Sequence, residues 1–367
     1  MAAESPLHAT SLVASDAPPR RRAPALDMLR GWLMVHIVVD HALANLTHDW
    51  EIRRRMFGYG GTGFTLVSGM LLGYFFVTRG ELEPLYARYR QQAMRLLFVV
   101  HPLMSLLLFV PHAAEGESLR SFFTHRTYIT DLLAVIFLAA PLLKRFPAKA
   151  RVWTGLACLA VGRLIAIAPP LPRPFDAVEQ LLGGSDGAAH ATITSGYPFL
   201  GCVGTILIGI HLGDRYGRAT TRGEDDECVR DVRKTALAAA LLTLALVACW
   251  ALLRQFHVDS PALILAQRFL YPDSDAALVP LYAGVTLLLF SVFLRAENGG
   301  VLERFLVVFG KTSLFTYVLQ YLVVETLPAM LGFRHHLSLA ACGMLIAGAI
   351  PVLFVIARTY NEHVTRR

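Results

Sequence analysis

Ten predominantly apolar stretches follow one another along the chain, near 25–45, 59–78, 94–111, 128–143, 152–169, 197–213, 235–253, 276–294, 313–331 and 337–357. Each approaches the roughly 20 residues that an α-helix needs to cross a hydrocarbon layer of about 30 Å. A segment in lipid must satisfy its own backbone hydrogen bonds, which helices do. Two further apolar pieces, 261–271 and 301–309, are too short to cross and read as interfacial or re-entrant segments. The pattern predicts an all-α, polytopic membrane helix bundle with about ten transmembrane helices.

Composition agrees with a bilayer as solvent: of 367 residues, 55% are apolar and 17% charged, where soluble chains carry about 25% charged. The net charge of +7 comes from short basic clusters between the apolar runs. That arrangement fixes membrane orientation and argues against a nucleic-acid partner. With the N-terminus inside, 23 Lys and Arg fall on the inner side and 9 on the outer, Arg30 and Arg163 lying within spans. Both termini are therefore expected in the cytoplasm.

Residues 1–23 hold Arg20, Arg21 and Arg22 but no apolar run, so a mobile tail is expected there and not a cleavable signal. The longest external connection, 169–196, is rich in Pro and Gly, and the longest internal one, 214–234, is charged. Neither suffices for a separate domain, so one membrane domain over 24–358 is expected, with a short tail at 359–367. Cys158, Cys202, Cys228, Cys249 and Cys342 sit singly, without the spacing of a zinc site or disulfide framework. No metal is expected.

The first apolar stretch is the unusual one. Asp27, Arg30, His36, Asp40 and His41 all fall within Ala25 to Leu46, and each would cost at least about 2.5–3.5 kcal/mol if turned to lipid near the bilayer centre. At about 100° per residue, Arg30 and His41 lie within about 20° of one another and Asp27 about 60° away. His36 and Asp40 fall about 120° and 80° off that line. Arg30 and His41 are about 16 Å apart along the axis, a separation suited to a long, extended substrate with Arg30 on an anionic part and His41 as general base. Asp40 would raise the basicity of His41, although adjacent helical residues point apart. The bland alternatives are an i, i+3 Asp27–Arg30 pair at the inner interface and a histidine that bonds a neighbouring helix.

The string LDMLRG, with His41 eleven residues after Arg30, resembles the opening of the transmembrane acyltransferase superfamily. That group includes the acyltransferase-3 proteins, the periplasmic glucan succinyltransferases and the heparan-glucosaminide acetyltransferases. GTGFTLVSGMLLG (61–73), RYRQQAMRLL (88–97), TDLLAVIFLAAPLL (130–143), GYPFLGCVGTILIGIHLG (196–213) and FGKTSLFTYVLQYLVV (309–324) resemble later family segments in the same order. The resemblance covers about 25–330. It implies acyl transfer from a cytoplasmic donor to an external or periplasmic sugar, with the functional arginine and histidine at Arg30 and His41 and the motif aspartate at Asp27. Many relatives read GRxSLxxYxxH where this chain has Lys311 and Gln320.

Further candidates follow. Arg88, Arg90 and Arg95 either hold coenzyme phosphates or anchor the third span at the inner surface. His101, next to the helix-kinking Pro102, faces the same cavity or packs. Ser68, after Gly60, Gly61 and Gly63, either touches substrate or packs on the first span. Asp131 binds a sugar hydroxyl or partners His41 across the bundle. Tyr317 and Gln320 share a helical face and bond a substrate or another helix.

The expected function is an integral acyltransferase of a bacterial inner membrane that moves an acetyl or succinyl group from acyl-coenzyme A to an envelope glycan. With no serine or cysteine beside an evident base, direct transfer is expected. The alternative is a proton-coupled transporter or exporter of a sugar or lipid-linked sugar, since intramembrane Asp, Arg and His also line translocation pathways.

Overall fold

The computed structural model describes residues 23–365 except 48–49, 80–81, 114–115, 117, 125, 169–170, 173–174, 184–193, 196–197, 256–259, 271–274 and 297–299. The expected N-terminal tail lies outside the described residues, apart from Ala23. The first helices are α1 (Pro24–Leu46), α2 (Trp50–Thr78) and α3 (Glu83–His112), followed by the short α4 (Leu119–Thr124), α5 (Ile129–Leu138) and α6 (Ala140–Arg145). Next come α7 (Ala148–Ile167), α8 (Asp176–Gly183), α9 (Phe199–Arg222), α10 (Asp225–Gln255) and α11 (Pro261–Phe269). The chain ends with α12 (Asp275–Phe293), α13 (Val301–Lys311), α14 (Ser313–Met330) and α15 (Leu339–Thr365). Among the described residues the β-structure is a two-residue parallel pairing of Arg126–Thr127 with Thr194–Ser195 and an isolated parallel bridge between Thr47 and Leu337.

Every apolar stretch read from the sequence coincides with helix. Among the described residues, five helices are long and apolar enough to cross a membrane: the Gly60–Thr78 part of α2, α3, α7, and Asp226–Gln255 and Leu339–His363 within α10 and α15. A sixth is added if α13 and α14, bent by 80° at Thr312, count as one span. The protein is thus a multi-pass membrane protein. α1 does not qualify on composition because its ionisable residues dilute its apolar character. Instead it is enclosed by α2, α12, α13, α14 and α15.

One expectation needs correction. The charged segment 214–234 is mostly helix, because α9 runs to Arg222 and α10 starts at Asp225 around Gly223, whose φ is +74°. Hydropathy marks where an apolar layer ends, whereas a helix continues into water as long as its backbone bonds are met. In the same way α15 runs on to Thr365, past the expected domain end at 358.

Small residues set the closest packing. Gly69 and Gly73 on α2 meet Gly209 and Gly213 on α9, each at small-xxx-small spacing. A Cβ on Gly213 would lie 1.8 Å from the Met70 carbonyl oxygen, and one on Gly209 2.2 Å from that of Leu66. The same device docks α1 on α13, where a Cβ on Gly31 would sit 1.9 Å from the Leu306 oxygen and one on Gly310 1.9 Å from that of Asp27. Trp153, Leu237, Leu244 and Met344 stand exposed on the outside, as lipid-facing residues do.

Two helices carry π turns, Leu96–Val100 in α3 and Leu322–Thr326 in α14. A proline follows each by two residues, Pro102 and Pro328. Proline offers no N–H to the carbonyl four residues earlier and its ring crowds that carbonyl, so the preceding turn opens by a residue.

Candidate active site

α1 presents its inward stripe to α14, and the two run parallel. At the N-terminal end, a guanidinium Nη2 of Arg30 donates to the Ser313 hydroxyl, and Nη1 lies 3.9 Å from the Asp27 carboxylate. The bland i, i+3 pairing is therefore present, joined by a contact to a second helix. Tyr89 of α3, buried and stacked on Phe137 with ring centroids 5.2 Å apart, lies in the surroundings of Arg30. The Arg30 and Asp27 side chains keep 25% and 18% of their surface exposed, so this end of the stripe is not sealed.

Three turns further along, His41 is buried. Its Nδ1 is 2.9 Å from Nε2 of Gln320. The rings of Tyr321 and Tyr317 meet it edge-on at centroid distances of 4.8 and 6.4 Å, and their hydroxyls are 3.1 Å apart. One turn beyond His41, Asn45 donates from Nδ2 to Oε2 of Glu325 at 3.1 Å. Backbone N–H groups of His335 and Leu337 donate to the carbonyls of Asn45 and Leu46 at 3.0 and 2.9 Å, which pins the end of α1 to the chain after α14.

Asp40 does not support His41. It faces α2 beside Gly60, and its Oδ2 lies 3.2 Å from His36 Nε2. The i, i+4 spacing on one side of α1 produces that pair, whereas adjacent positions point apart. Asp131 does not reach His41 either: both its carboxylate oxygens lie 3.0 Å from His101 Nδ1, while His101 Nε2 is 3.2 Å from the Phe123 carbonyl oxygen. His101 and Asp131 form a separate pair between α3 and α5, with the Tyr128 hydroxyl donating to Ser105 at 3.3 Å beside it.

Arg88, Arg90 and Arg95 are exposed on α3; the first two line a surface hollow of about 650 Å³ with Pro84, Ala87, Gln91 and Met94. Ser68 is half-buried on α2, next to Gly69, which abuts Ile206 of α9. Tyr317 and Gln320 do join the site, on the His41 side of α14. Sequence reasoning missed Ser313, Tyr89, Tyr321, Asn45 and Glu325. Ser313 and Tyr321 lay within the string FGKTSLFTYVLQYLVV, and the i, i+4 spacing of His41 and Asn45 was a usable signal.

The profile of the acyltransferase-3 family, an acyltransferase domain, matches residues 24–358. The chain belongs to that family. Among curated proteins none matches it. The match spans α1 through most of α15, so this acyltransferase-3 chain holds both ends of the α1 stripe inside the family domain. Family membership supports acyl transfer in general, and the residues on the stripe have the chemistry for it: a cation in an accessible position, an imidazole oriented by an amide, and tyrosine hydroxyls beside the ring.

Proposed function

We propose that this protein transfers an acyl group, acetyl or succinyl, from cytoplasmic acyl-coenzyme A to a hydroxyl or amine of a glycan on the far side of a bacterial inner membrane. In this reading the domain 24–358 contributes about ten spans with both termini inside. The N-terminal end of α1 then faces the cytoplasm and its C-terminal end the outside. The observation that carries the reading is one stripe with Arg30 held by Ser313 at one end and His41 held by Gln320 at the other. Their separation of about 16 Å matches an extended donor lying along the helix.

Arg30 binds an anionic or carbonyl part of the donor, and its exposed portion is consistent with access for a ligand. Arg88 and Arg90 beside their hollow, and Arg95, supply further cations for coenzyme phosphates. His41 acts as general base. The Gln320 amide can present either end to Nδ1, and its Oε1 has no hydrogen-bond partner among the described residues. With Oε1 accepting from Nδ1–H, the basic lone pair of His41 resides on Nε2. That nitrogen takes the acceptor proton as the acceptor oxygen or nitrogen bonds to the thioester carbonyl carbon. The carbon–sulfur bond then breaks, and the coenzyme thiolate leaves with the proton from the imidazolium. In the Tyr317–Tyr321 pair one hydroxyl donates to the other, and the second hydroxyl's proton supplies a donor for the oxyanion formed in between.

The test is mass analysis of envelope glycans from cells lacking the protein and from cells carrying His41→Ala. Loss of the same acyl mass in both supports the reading. An unchanged glycan profile with altered sugar uptake or export points to a transporter.

A further inference from the structure

Glu325 is a buried carboxylate, 6% exposed, for which acyl transfer by His41 has no use. Its direct partner is the neutral amide of Asn45. Arg126, Arg334 and Tyr128 lie in its surroundings. Buried carboxylates are normally paired or closely hydrogen-bonded, because desolvation is expensive. Groups from α1, from the start of α5 and from the chains on either side therefore surround a carboxylate with bonding capacity to spare.

Its placement follows from the sequence. Five α-helical steps carry a side chain about 140° past a full turn, so Glu325 in a regular helix would point well away from Gln320. The π turn at Leu322–Thr326, opened by Pro328, has i→i+5 hydrogen bonds and brings the two back toward one face. Asn45 follows His41 by four residues, about 6 Å along α1. Glu325 consequently sits one turn past the imidazole, toward the C-terminal end of α1.

We propose that Glu325 is the acceptor-binding residue of this enzyme. Its carboxylate receives hydrogen bonds from one or two hydroxyls of a sugar, which sets the neighbouring hydroxyl or amine against His41. Two acceptor oxygens match the vicinal diols of a pyranose, and Asn45 holds one of them in place. This rests on the acyl-transfer reading above and adds which group selects the acceptor.

Membrane vesicles carrying wild-type protein, Glu325→Gln or His41→Ala are given acetyl- or succinyl-coenzyme A labelled in the acyl group. Label in the glycan fraction is measured against the amount of added unacylated glycan, with heat protection of the protein by coenzyme A measured alongside. In Glu325→Gln the glycan concentration for half-maximal labelling rises by about tenfold to hundredfold, the worth of a hydrogen bond to a charged group, while coenzyme protection is kept. Glu325→Asp, which keeps the charge, recovers part of that loss. Asn45→Ala raises the half-maximal concentration as well and serves as the second variant if Glu325→Gln is lost from the membrane. A half-maximal concentration equal to wild type, or coenzyme protection lost together with labelling, overturns the assignment while leaving acyl transfer intact. Wild-type vesicles that label no glycan overturn the acyl-transfer reading itself, and this assignment with it.

Discussion

Replacing Gln320 by leucine tests whether His41 is oriented for chemistry. The residue is fully buried, leucine is close to it in volume, and the exchange removes the one amide 2.9 Å from Nδ1. A buried imidazole nitrogen left without that partner costs about 1–3 kcal/mol. If the cost falls on the transition state, turnover drops by about 5- to 150-fold at about 1.36 kcal/mol per decade. Gln320→Glu keeps an oxygen acceptor for Nδ1–H, so it retains more turnover than leucine does. The assay is coenzyme thiol release and glycan acylation by purified protein in nanodiscs, with melting temperatures measured alongside. Wild-type turnover in Gln320→Leu, together with an inactive His41→Ala, would show that the amide does not set the tautomer. Wild-type turnover in both variants would reduce His41 to a packing residue and refute the catalytic assignment.

Other consequences are simpler to read. Arg30→Ala abolishes thermal protection by coenzyme A, whereas Ser313→Ala, which removes one charge-assisted hydrogen bond worth about 1.5–3 kcal/mol and leaves the cation in place, weakens it by less; equal protection of wild type and Arg30→Ala places the donor elsewhere. Gly310→Val forces a side chain into the Asp27 carbonyl and costs about 1–3 kcal/mol or more, seen as a lower melting temperature with lost coenzyme protection. Arg151 and Asp214 are buried 3.4 Å apart, so Arg151→Met removes a charge from beside a buried carboxylate and destabilises by up to about 3–5 kcal/mol. Arg218, 3.1 Å from the same carboxylate, limits that loss, and adding Arg218→Met should deepen it in denaturation midpoints.

Helix positions were legible because hydropathy and helix formation answer to the same constraint. An apolar run in lipid has no other way to satisfy its backbone, and each of the runs read from the sequence is helical over most of its described residues. Helix ends were less legible, as 214–234 shows, since polar helix and polar loop look alike to a hydropathy window. The stripe on α1 was legible from periodicity alone: Asp27, Arg30 and His41 do meet α13 or α14. Partners were not, because periodicity gives the face a residue occupies and not which helix arrives there. Asp131 could be put on a wet face but not opposite His101, thirty residues away, and Asp40 could be read as beside His41 in sequence while pairing with His36 in space.

Proline explains what periodicity cannot at two places on the inner helices. His101 directly follows one π turn, and Glu325 sits inside the other. Counting faces at a constant 100° per residue fails across such a turn, so any helical wheel for α14 separates Gln320 from Glu325 when the chain brings them toward one side. The offset between π turn and proline is the same in both helices. In each, the opened turn places an ionisable side chain where a regular helix would aim it elsewhere. α1, which carries no proline beyond its first turn, keeps a regular period across its whole length. It therefore acts as the straight ruler of the site, and α14 supplies the adjustment: Ser313 meets Arg30, Gln320 meets His41, and only with the extra residue does Glu325 meet Asn45.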